Sequence, residues 1–174
     1  MSNLRLINET SFSGVATASV TNVFSTDFDI YKIVATGYEQ TSGTAGRARL
    51  RFVNSSGSIV TASNYDHAKL AMESFGNYVE TKATNESYID FVLYHNGETG
   101  GASNGVWYIF NPLSSSYSFV IFQQNYKQSG YSASALKGIG VLKDISSMTG
   151  YSIFGGNGGS FDVQFRTYGL RVDT

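Results

Sequence analysis

Apolar residues along the chain recur at every second position or in short unbroken runs, and not at the three- and four-residue spacing of an amphipathic helix. Leu4, Leu6 with Ile7, then Val15, then Phe28, Ile30, Ile33 and Val34 open the chain as three strand candidates. Ala48, Leu50 and Phe52 next alternate with Arg47, Arg49 and Arg51, and Asn54-Ser55-Ser56-Gly57-Ser58 turns the chain toward Ile59-Val60, a hairpin signal. Further strands are predicted over Tyr88 to Tyr94, Val106 to Phe110, Tyr117 to Phe122, Ser132 to Leu142, Tyr151 to Phe154 and Phe161 to Val172. Two of these runs, Val106 to Phe110 and Phe119 to Phe122, are apolar on both faces, so each needs cover on its second side. A helix around Asp66 to Glu73 is one source of cover, but it is short and weakly periodic, and a neighbouring subunit is the better one. The expectation is an all-β, jelly-roll-like antiparallel β-sandwich of roughly ten strands.

Composition sharpens this reading. The 174 residues suit one domain, 1–174, and Gly- and Ser-rich connections separate the strands with no compositional break and no fixed-period repeat. Charged residues make up 14%, about half the usual share, while 24 Ser and 14 Thr outnumber all 25 charges, so the surface is hydroxyl and amide in character. Nineteen Gly, 12 Tyr and 12 Phe with a single Pro favour strands and tight turns. A net charge of −1 provides no long-range field for nucleic acid or an anionic membrane, and neither is expected as a partner. The start carries no apolar run of signal length, which reads as synthesis in a cytoplasm. The absence of Cys removes disulfides, thiolate metal sites and Cys nucleophiles.

Candidate chemistry is sparse. Gly101-Ala102-Ser103-Asn104-Gly105 matches the G-x-S-x-G pattern of a serine nucleophile, but no helix is predicted after it, and His67 and His95 both precede it where that arrangement needs a later His. The two histidines lack zinc-ligand spacing. Asp27 and Asp29 share one strand face, which reads as a solvated, capped strand entry. No catalytic, cofactor or metal residue is therefore expected, and the protein is read as a non-enzyme. Arg47, Arg49 and Arg51 project from one strand face about 6–7 Å apart. They offer a grip for an acidic protein surface, such as that of a neighbouring subunit, or for a sulfated or phosphorylated glycan, with a solvated face as the other reading. Tyr126 and Tyr131 flank a polar loop and are the candidate glycan contacts, whereas Trp107, inside its apolar run, reads as core.

The segments Leu6 to Thr10, Phe28 to Val34, Leu50 to Gly57 and Phe165 to Val172 resemble small β-sandwich virion proteins of tailed bacteriophages, especially those of marine and cyanobacterial hosts. The resemblance covers most of the chain, in pattern more than in identity. It implies a capsid decoration, knob or head-fibre protein at the virion surface, made in the host cytoplasm. Such a protein would bind the major capsid protein, stabilise the shell and assemble as a homo-oligomer, with a trimer implied for such appendages. The alternative it implies is a tail-fibre or receptor-binding tip that recognises host surface glycan. No catalytic motif comes with it.

Overall fold

The computed structural model describes residues 3–42, 46–97, 100–128 and 132–171, and their regular structure is entirely β. The strands are β1 (Leu4–Val15), β2 (Thr17–Val20), β3 (Ile30–Gln40), β4 (Gly46–Asn54), β5 (Tyr65–Glu73) and β6 (Tyr78–Glu86). They continue with β7 (Ile89–His95), β8 (Ser103–Phe110), β9 (Ser118–Gln128), β10 (Ser132–Leu142), β11 (Met148–Gly155) and β12 (Phe161–Leu170). They form an eight-stranded sheet in the order β1-β12-β3-β8-β9-β10-β5-β6 and a four-stranded sheet in the order β2-β11-β4-β7, all antiparallel. The chain crosses repeatedly between the two sheets, which is how a sandwich closes on one core.

Period-2 alternation places each residue. On β12, Phe161, Val163, Phe165 and Thr167 are buried while Asp162, Gln164 and Arg166 face out. Trp107, Tyr151 and Phe165 meet between the sheets with centroids 5.6–6.2 Å apart, and the Tyr151 hydroxyl is satisfied by Thr167 Oγ1 at 2.9 Å. Burial pushes the Tyr151 phenol well above its ordinary range, so it stays neutral.

Three expectations change. Asp66 to Glu73 is a strand within β5, because Tyr65, His67, Lys69 and Ala71 alternate with outward Asp66, Ala68 and Leu70. Among the described residues no helix covers the sheet. Asp27 and Asp29 precede β3 rather than sharing a strand face, and Asp27 is tied to the Ser25 hydroxyl in a turn. The turn after β4 forms, with Asn54 Oδ1 accepting from the Ser56 and Ser58 amides and Gly57 at φ +78°, but its second arm is a single bridge, Val53 to Ile59.

The pattern also missed β6. This edge strand is exposed on nearly every residue, so it carries no apolar alternation to read.

Candidate functional site

The most concentrated chemistry lies at the edge of the four-stranded sheet. Between Ala48 and Leu50 of β4, the neighbouring β7 advances four residues, from Leu93 to Ile89, and Phe91 adopts a left-handed φ of +64°. This bulge turns Asp90 into a nearly buried position. Gln124 Nε2 and Trp107 Nε1, from the eight-stranded sheet, donate to the carbonyls of Phe91 and Val92 at 2.7 and 3.3 Å and hold the bulge in place.

Asp90 accepts from three cations: Arg49 Nε on one oxygen at 3.1 Å, and Arg47 Nη1 and Lys69 Nζ on the other at 3.2 Å each. Burial alone would raise its carboxyl, but Lys69, Arg49 and Arg47 outweigh burial and hold it below the usual carboxylate range. Burial lowers the Lys69 ammonium, and the pull of Asp90 only partly opposes that. Aromatic rings complete the cluster. Arg47 and Lys69 lie over Phe91, Arg49 over Tyr88 and Arg51 over Phe154, at 3.9–4.7 Å. Arg51 also donates to the Ser87 carbonyl at 2.8 Å.

The arginine stripe thus exists as a strand face, but it is not a free grip. All three guanidinium groups are engaged within the chain, and Arg47, 49% exposed, is the most open of the two on Asp90. Sequence reasoning missed Asp90 and Lys69. The available signals were a lone acid inside the apolar run Ile89 to Leu93 and a Lys in phase with Tyr65 and His67.

The remaining candidates separate. Tyr126 is 6% exposed, with its ring edge-to-face on Tyr94 at 5.0 Å, so it is a wall residue and not a platform for exposed glycan stacking. Its loop partner Tyr131 lies outside the described residues. Trp107 is fully buried, and Ser103 is buried on the inner face at the start of β8, away from any strand-to-helix elbow. His67 is buried, and desolvation followed by Lys69 lowers its imidazole below the ordinary value. Among the described residues no group of three or more His, Asp or Glu is placed to hold a metal.

The outer face of the eight-stranded sheet is open and partly apolar. Across β8, β9 and β10, Tyr108, Ile121 and Ile139 stand in one cross-strand row, and Phe110, Phe119 and Val141 in the next. Phe119 is 48% exposed, Ile121 45% and Ile139 58%. On β10 the two glycines face inward: a Cβ on Gly138 would collide with the Phe122 ring, and one on Gly140 with Ile89. The strand therefore gives its glycines to the core and its Ile139 and Val141 to the outside. The doubly apolar runs seen in the sequence are these strands, and their second face is uncovered in the single chain.

No family model, curated protein or solved structure matches the chain.

Proposed function

We propose that the chain is a structural protein of a bacteriophage virion surface, a capsid decoration or knob protein whose copies associate through the outer face of the eight-stranded sheet. The observation that carries the assembly role is the apolar block of Phe119, Ile121 and Ile139, set outward on strands whose inward positions are partly glycine. The virion setting comes from the resemblance of the four segments quoted above. Together they support a homo-oligomer, a homotrimer in keeping with such appendages, seated on the major capsid protein and adding contacts that stabilise the shell.

A second copy of the chain is the occupant of the face. Its rim carries both signs, with Lys32, Lys82 and Lys137 beside Asp66 and Glu80, and the chain's net charge is only −1, so copies meet without strong repulsion. In this account Arg47, Arg49 and Arg51 stiffen the opposite sheet, and Arg47 is the one that keeps charge available to an acidic capsid surface.

Imaging of intact particles tests the reading. Density for the chain in multiple copies on capsomer surfaces, lost in particles carrying Ile121→Asp with Ile139→Asp, is the expected result. Density at the tail, with host adsorption blocked by free protein, would replace decoration with a receptor-binding tip.

A further inference from the structure

The eight-stranded sheet ends on β6, and the sequence along that free edge is nearly symmetric about Thr81. Glu80 mirrors Lys82, Val79 mirrors Ala83, and Tyr78 mirrors Thr84. Each mirrored pair is complementary: opposite charges, two apolar side chains and two hydroxyls.

The hydrogen bonds of the hairpin fix what the edge offers. At the β5–β6 turn the Glu73 amide donates to the Asn77 carbonyl at 3.0 Å, and the Glu73 carbonyl accepts from the Gly76 amide at 2.9 Å, so both backbone groups of Glu73 face β6. Antiparallel ladders alternate, and the register sets Ala71 against Val79, Lys69 against Thr81 and His67 against Ala83. These three β6 residues therefore bond to β5, which leaves Tyr78, Glu80 and Lys82 pointing their N–H and C=O groups at the open edge. The Glu80 and Lys82 side chains stand on the outer face, across from Leu70 and Ala68. Neither has an ion-pair partner among the described residues, and the strand contains no proline to block pairing.

We infer that β6 pairs edge to edge with β6 of a second copy, antiparallel, about a two-fold axis at Thr81. Charge selects the register. With the axis there, Glu80 of each copy lies opposite Lys82 of the other in a hydrogen-bonded pair, so two ion pairs form together with the backbone bonds. An axis at Glu80 or at Lys82 sets like charges against each other at the centre. The two Thr81 residues then form a non-hydrogen-bonded pair, the closer type, with Cα atoms about 4.5 Å apart. Val79, 48% exposed, gains Ala83 of the second copy as apolar cover. Asn85, at φ +57° beside the register shift in β6, ends the strip at Thr84. This contact lies in the plane of the sheet and goes beyond the face contact proposed above. A strip from Tyr78 to Thr84 covers less than the roughly 1,000 Å² of a stand-alone interface, so it is weak between free chains and stable where copies are held close, linking one oligomer to the next.

Disulfide trapping in the Ile121→Asp, Ile139→Asp background tests the edge with the face contact removed. The chain has no cysteine, so Thr81→Cys supplies the single thiol. Oxidised with glutathione disulfide at high protein concentration, this variant should yield a covalent dimer of twice 18.9 kDa. Val79→Cys, also exposed and on the same face of the strand, places its two thiols about 14 Å apart and should not cross-link. Adding Lys82→Glu to Thr81→Cys opposes carboxylates twice and should slow trapping about fivefold, and adding Glu80→Lys as well should restore it. No dimer from Thr81→Cys, equal yields from the two cysteine variants, or a trapping rate indifferent to charge reversal overturns the proposal. Every sample lacks the face contact, so failure of the edge and failure of the assembly reading are seen separately.

Discussion

Asp90 holds three cations on two oxygens, so its loss and the loss of any one partner are not equivalent. Asp90→Asn leaves a buried ammonium and two guanidinium groups without a counter-charge, which costs about 3–5 kcal/mol when a buried pair is broken from one side. Lys69→Met removes a desolvated charge and leaves Asp90 paired with both arginines, so its cost is clearly smaller. Urea denaturation of the two variants should rank them in that order, and equal midpoints would contradict the cluster. Acid titration reads the same neighbourhood. The folded His67 pKa is depressed, so the unfolded chain binds more protons just below the ordinary imidazole value of about 6.5, and stability falls as pH drops through that window. Asp90, also depressed, loses its contribution at lower pH still, below the ordinary carboxylate value of about 3.9. Thermal melts from pH 7 downward should therefore weaken in two stages, the first absent in His67→Gln. None of this was legible in the stripe of Arg47, Arg49 and Arg51 alone. A sequence shows which face a guanidinium leaves from, but the bulge at Phe91 decides that Asp90 meets it.

At the scale of the strand, β10 is the informative element. Its alternation reads Gly138, Ile139, Gly140, Val141, and period 2 alone does not say which set faces the core. The contacts decide it: the Phe122 ring and Ile89 occupy the space over the glycines, so the branched residues must face out. Gly138→Val should destabilise the fold by about 1–3 kcal/mol, the ordinary cost of overpacking, and this is measurable as a lowered denaturation midpoint. Ile139→Asp, pointing away from the core, should leave the midpoint of the single chain nearly unchanged. A reversed ranking would mean the register is slipped by one residue. The sequence was readable wherever one face is apolar and the other polar, as in β12. It failed at β5, where inward His67 and Lys69 disguise a strand, and at β6, where neither face is apolar.

At the scale of the molecule, the sandwich is lopsided, with eight strands against four, and the wider sheet carries the broad outer face. The doubly apolar runs signalled from the outset that one chain leaves a surface uncovered. The route of cover was less legible, because the stretch that read as a short helix is β5, a member of the same sheet. Burying the exposed half of each outer isoleucine contributes about 1 kcal/mol, so a carboxylate at Ile121 and Ile139 removes that gain and adds a desolvation cost at the centre of the contact. The most direct measurement is the solution mass of the chain by sedimentation equilibrium at micromolar concentration. Wild type should exceed the 18.9 kDa of one chain by an integral factor, and the Ile121→Asp, Ile139→Asp variant should sediment as a folded 18.9 kDa species. A wild-type mass of 18.9 kDa throughout that range, unchanged by the double substitution, would contradict the account.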